Sequence, residues 1–208
     1  MNQSDKTSDF KIDVRSDTTS LTLLERLKER DSDAWRRLLS LYGGLVVTWC
    51  KRWKLSEHES ADVVQEVFGS VAQKITLFRR EHPQDSFRAW LWTITRNACM
   101  QYFRDQARQP AAAGGSSARM RLEQIEARTD DDPRTQHGDS QLVYAQALDL
   151  IKTEFEPSTW QAFLACVTQT RSVADIASEL QLSPGAVRQA KYRVLKRLRD
   201  EFGDVLPT

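Results

Sequence analysis

The sequence is short of several things, and each shortage closes off a class of protein. It has three cysteines, Cys50, Cys99 and Cys166, far apart in the chain and odd in number. That excludes a disulfide scaffold and any C-x-x-C metal knuckle, and it suits a reducing, cytoplasmic setting. No window holds the roughly 18 uninterrupted apolar residues that a membrane span needs. The opening MNQSDKTSDFKIDVRSDTTS contains no apolar core, so neither a secretory leader nor an anchor is expected. The three histidines, His58, His82 and His137, sit in unrelated polar stretches. No nucleophile–base pairing or metal-ligand spacing joins them to the cysteines, so no enzyme, metal site or cofactor is expected. Net charge is only +1, which excludes a generic polycation; any nucleic acid would be bound through local patches.

What remains is an ordinary globular composition, 40% hydrophobic and 28% charged, with no alternation of the β type. Residues 1–20 read as a mobile tail. From 21 to 108 the periodicity is helical, with glycine only at Gly43, Gly44 and Gly69. Residues 109–140, with QPAAAGGSS followed by TDDDPRTQHGDS, have linker composition. Helical periodicity resumes over 141–208. The expected fold is all-α, two helical domains joined by a flexible linker.

Three segments carry chemistry. In 61–76, Val63, Val67, Val71 and Ile75 form one row and Val64, Phe68 and Ala72 the next. Asp62, Gln65, Glu66, Gly69 and Gln73 fall on the opposite side. That side is either a solvated face or a docking face for a basic partner, with Gly69 allowing close approach; spacing does not choose. In 86–107, Ser86 is a helix N-cap and Phe87, Leu91, Ile94 and Ala98 make a core stripe flanked by Trp90 and Tyr102. Arg88, Trp92, Arg96, Cys99 and Phe103 cluster on the other side, with Asn97 and Arg104 at its margin. Arginine interleaved with aromatics suits single-stranded nucleic acid, where guanidinium groups meet phosphates and rings accept unstacked bases. A helix buried on two sides, with arginines at the edges, fits the same pattern. Cys99 beside Arg96 reads as a buried, unreactive thiol rather than a redox sensor.

The third segment is the most specific. Ser172 and Asp175 form a capping pair ahead of Val173, Ile176, Ala177 and Leu180. Gln181-Leu182-Ser183 makes a turn, and Ser183 with Pro184 starts a second helix. Val187, Ala190, Val194 and Leu198 point inward, while Arg188, Gln189, Tyr192, Arg193, Lys196 and Arg199 spread outward. This pattern predicts a helix-turn-helix, whose Arg and Gln side chains suit guanine and adenine edges in the major groove. A plain helical hairpin is the weaker alternative, given small Ala177, Leu182 in the turn, and Val187. Gln181 is a departure, because the turn needs a left-handed residue and usually has glycine there.

These segments, in this order, resemble bacterial RNA polymerase sigma factors of the extracytoplasmic-function (ECF) group. The stretch 62–68 looks like the core-polymerase docking helix, 87–98 like the promoter-melting helix, and 173–188 like the helix-turn-helix that reads the −35 element. The resemblance implies that Asp62, Gln65, Glu66 and Phe68 contact core RNA polymerase at the largest-subunit clamp helices, with a second contact at the flap. It assigns −10 DNA melting to Arg79, Arg80, Arg88, Trp92, Arg96, Asn97 and Arg104. It assigns −35 DNA to Ser183, Gly185, Arg188, Gln189, Tyr192, Arg193 and Lys196. The implied partners are core polymerase, promoter DNA and, as is common in the family, an anti-sigma factor; the free protein would be a monomer. Two features depart from the family. After Pro184-Gly185 it usually continues Thr-Val-(basic)-Ser-Arg, where this chain has Ala186-Val187-Arg188-Gln189-Ala190, and the long linker is idiosyncratic. A stand-alone repressor or response regulator is the competing class, yet the N-terminal half shows neither a phospho-acceptor aspartate after a strand nor a ligand pocket.

Overall fold

A computed structural model describes residues 22–79, 86–108, 137–168, 171–203 and 205–206. Among them the secondary structure is helical throughout, with no strand, as the periodicity predicts. The helices are α1 (Leu23–Lys28), α2 (Ser32–Arg52), α3 (Glu57–Lys74), α4 (Phe87–Arg108), α5 (His137–Ile151), α6 (Pro157–Thr168), α7 (Val173–Glu179) and α8 (Pro184–Phe202). The tail 1–20 and most of the segment read as linker lie outside the described residues. Helix α5 begins at His137, inside the span of linker composition.

Local chemistry sets the helix starts. Thr22 with Glu25, and Ser56 with Glu59, form complete capping boxes, and Asp31 accepts from two backbone N–H groups at the head of α2. Ser86 Oγ accepts from the Ala89 N–H at 3.1 Å, capping α4 as expected. The helix ends share a less common solution. Arg30, Lys54 and Gln181 have φ of 62°, 60° and 54°, each just past the end of a helix. In each case the next residue bonds back into the last turn: Asp31 to Arg26, Leu55 to Cys50, Leu182 to Ala177. These are Schellman endings in which a long side chain stands where glycine is usual. Three left-handed residues without glycine help explain how a helical chain turns so often with so few glycines.

Helices α2, α3 and α4 pack together, burying Leu38, Leu45, Trp49, Val63, Val67, Val71, Phe87, Leu91 and Phe103. The C-terminal half does not stand apart. Val143, Ala147 and Ile151 of α5, Val194, Leu198 and Phe202 of α8, and Val205 and Leu206 beyond it belong to the same continuous core. Among the described residues, Ile176, Ala177 and Val187, backed by Val173, Leu180 and Leu182 and by Ala165 and Cys166 of α6, form a separate small core.

Polar groups seal this junction at two ends. Asp139, 3% exposed, accepts from Trp49 Nε1 at 2.8 Å and from the Arg52 guanidinium at 2.6 and 3.2 Å. Beside it, the Arg88 guanidinium donates to Ser140 Oγ at 3.0 Å. At the far end Glu201 is buried among Arg26, Arg37 and Arg197, and Glu154 binds Arg197 at 2.6 and 3.1 Å. The Tyr42 hydroxyl donates to the Val205 carbonyl; burial raises its pKa and keeps it a protonated donor. The halves are therefore packed face to face, joined by apolar contact and by charges that pair across the junction, Asp139 with Arg52 and Glu201 with Arg26 and Arg37.

Candidate functional site

On α3 the first apolar row and the polar side separate as the periodicity predicts, whereas Ala72, expected in the second apolar row, is exposed and Val64 is half-buried. Asp62, Gln65, Glu66, Gly69 and Gln73 are exposed, and Val63, Val67, Val71 and Ile75 are buried beneath them. A Cβ added at Gly69 would meet nothing, so the fold itself does not require glycine there. Phe68 needs correcting: it is 8% exposed and packs in the core, so it supports the acidic face from below rather than belonging to it. Tyr102 of α4 donates to Glu59 Oε1 at 2.9 Å and ties α4 to the start of α3. Partial burial and that carboxylate raise the phenol pKa.

Helix α4 is sandwiched, and this overturns part of the expected exposure. Its second apolar side faces α2, where Trp92 packs against Trp49 and Trp53 with ring centroids 5.1 and 4.9 Å apart. Cys99 and Phe103 are fully buried on the same side, and Arg88 is 3% exposed under Ser140. Arg88 and Trp92 thus do not lie on an open surface. The physical reason is the pattern itself: a helix with apolar residues on two sides finds two neighbours to bury them against. What α4 leaves open is narrower, namely Asn97 and Arg104 exposed and Arg96 half-exposed. Arg79, exposed, donates to the Thr76 carbonyl at 3.2 Å at the end of the short 3-10 turn Ile75–Leu77. Arg80 and the rest of the loop to residue 85 lie outside the described residues.

The third surface is presented in full. Ser172 Oγ accepts from the Asp175 N–H at 3.1 Å and donates to its carboxylate at 2.7 Å, starting α7. Gln181 adopts the left-handed conformation the turn demands. Ser183 Oγ caps α8 by accepting from the Ala186 N–H at 3.1 Å, with Pro184 as the first helical residue. Val187, Ala190, Val194 and Leu198 are buried, while Gly185, Arg188, Gln189, Tyr192, Arg193, Lys196 and Arg199 are exposed. Tyr192 is 59% exposed on the same face. Lys196 pairs with Asp200 at 2.5 Å, and that bond raises its pKa, so it stays charged.

Sequence reasoning missed the junction residues Trp49, Arg52, Asp139, Ser140 and Glu201. Nothing local marks them: the acid at 139 sits in linker composition, and Glu201 looks like any carboxylate in a charged last turn.

The comparison with known families bears on the first of these bundles. Residues 38–109 match the family model of sigma-70 region 2. The sigma-70 region 2 span begins inside α2, takes in α3 with its acidic face, and ends just past α4, so it covers two of the three candidate surfaces. It supports a sigma-70 family factor, and with it core polymerase binding and promoter melting. No curated protein sequence matches the chain.

Proposed function

We propose that the chain is a sigma factor of the ECF type, which binds core RNA polymerase and directs it to promoters by melting a −10 element and reading a −35 element. The observation that carries this reading is the coexistence in one short chain of a sigma-70 region 2 match over 38–109 and a helix–turn–helix whose basic outer face is exposed.

In this account Asp62, Gln65 and Glu66 meet basic clamp helices of the polymerase, and Gly69 lets that partner approach the α3 backbone closely. A glycine inside an exposed helix costs roughly 1 kcal/mol against alanine, and here the fold gains nothing in return. Arg96, Asn97 and Arg104, with Arg79 and Arg80, face the opened −10 strand. Arg88 becomes available only once α5 leaves its end of α4, and Trp92 remains a packing residue between Trp49 and Trp53. On α8, Arg188 and Gln189 read base edges, and Tyr192, Arg193 and Lys196 hold the flanking backbone. Ala186 offers no hydroxyl to a phosphate and Ala190 no guanidinium, so the preferred −35 sequence differs from that of relatives carrying both. An anti-sigma partner, a monomeric free state and a cytoplasmic location accompany this reading. The test is run-off transcription from a promoter library by core polymerase with and without the chain. Initiation at a defined subset only when the chain is present supports it; binding to duplex DNA without polymerase, and no initiation, makes it a stand-alone regulator.

A further inference from the structure

Two of the three cysteines, far apart in sequence, meet in the fold. Cys50 lies near the end of α2 and Cys99 midway along α4, and their Sγ atoms are 3.9 Å apart. Both side chains are fully buried, whereas Cys166 sits half-buried on α6. A lone buried cysteine needs no function, since a thiol packs as a small hydrophobe. Two that touch sulfur to sulfur from different helices are a different matter. A disulfide has its sulfurs about 2.0 Å apart, so closing this gap takes a movement of roughly 2 Å, within reach of side-chain rotation and slight helix approach.

The two thiols share a contact in which either sulfur can be the donor, so either can open the reaction and the other resolve it.

We propose that Cys50 and Cys99 are an oxidisable dithiol pair, converted by hydroperoxides into a disulfide that ties α2 to α4. In the first step one of the two thiolates attacks one oxygen of hydrogen peroxide, the O–O bond breaks, and the departing hydroxide takes up the thiol proton as water, leaving that cysteine as a sulfenic acid. The other sulfur then attacks it, the S–O bond breaks, and the hydroxyl leaves with the second thiol's proton as a second water. Two thiols and one peroxide thus give one disulfide and two waters, the two electrons passing from sulfur to oxygen. Both cysteines lie within the region 2 match, so the tie stiffens the bundle that carries the acidic face and the exposed edge of α4. The proposal rests on the packing of that bundle alone and stands apart from the promoter reading.

The full chain is treated with graded hydrogen peroxide, denatured, alkylated without reductant and weighed intact. The expected product is lighter by two hydrogen atoms before alkylation, takes up a single alkyl group, and gives a peptide pair joined through Cys50 and Cys99. Dithiothreitol restores three alkylation sites, and the oxidised chain melts several degrees higher. Cys166→Ser must still lose two hydrogen atoms, then take up no alkyl group until dithiothreitol restores two sites, and Cys50→Ser must abolish the intramolecular loss. Three alkylatable cysteines after peroxide in the wild type, oxidation confined to Cys166, or only intermolecular dimers would overturn the proposal. The Cys166→Ser variant, which leaves the buried pair untouched, keeps the test decisive even if Cys50→Ser fails to fold.

Discussion

Trp49 of α2 donates its indole N–H to the Asp139 carboxylate across 2.8 Å, and Arg52 grips the same carboxylate one turn further on. Asp139 belongs to the first turn of α5, so a single acid links the region 2 bundle to the half that carries the helix–turn–helix. It is buried, and both of its donors come from the other side of the junction.

Replacing Asp139 with Ala therefore leaves the Trp49 N–H without its partner in a buried place, at a cost of about 1–3 kcal/mol. Arg52, a third exposed, recovers water and adds little. Urea unfolding should show the loss, while Asp149→Ala, on an exposed position of the same helix, should stay within about 0.5 kcal/mol of wild type. Small-angle scattering should report a larger radius of gyration for Asp139→Ala alone.

Reversing charge at Asp62 and Glu66 together should abolish polymerase binding and leave the helical circular dichroism and the melting temperature close to wild type. Both side chains are exposed, so the fold has no stake in them. Unchanged affinity in a pull-down with core polymerase would reduce that face to a solvated surface.

How much of this was legible beforehand depends on where each residue's partner lies. The rows on α3, the caps at Ser86, Ser172 and Ser183, and the inward set Val187, Ala190, Val194 and Leu198 are fixed by neighbours three or four residues away, and periodicity exposes them. Gln181 was legible only as a departure, a non-glycine residue where the turn needs a left-handed one. The second side of α4 was ambiguous because Trp92, Cys99 and Phe103 suit a base-stacking surface and a core equally. The packing partners that decide it, Trp49 and Trp53, lie some forty residues upstream. Asp139 and Glu201 could not be read at all. Asp139 takes its meaning from an arginine and a tryptophan in the other half of the chain, and Glu201 from Arg26 and Arg37 there as well as Arg197 on its own helix, and no local pattern encodes the partners across the junction.

Gln181→Gly should stabilise the protein. A non-glycine residue at φ 54° carries a strain of roughly 1–2 kcal/mol, partly offset by the extra freedom glycine gains in the unfolded chain. The net gain should be a few tenths to about 1 kcal/mol in denaturant unfolding, with no change in DNA preference because Gln181 precedes the reading helix. A loss of stability would mean that the Gln181 side chain makes a contact outweighing its strain.

Substituting Ala at Arg188 and at Arg193 should separate reading from holding. Loss of a base contact at Arg188 costs about 1–3 kcal/mol of discrimination between matched and mismatched −35 sequences. Loss of a phosphate contact at Arg193 weakens all sequences alike and flattens the salt dependence. Competition binding of the polymerase-bound chain to matched and mismatched duplexes, at two salt concentrations, distinguishes the two effects.

The most direct measurement is an electrophoretic binding test of the purified full-length chain with bacterial core RNA polymerase and a pool of random promoter fragments. The account predicts a stable ternary complex that retains a restricted set of fragments, and no such selection by either protein alone. Tight duplex binding by the chain without polymerase, together with no polymerase complex, would contradict it.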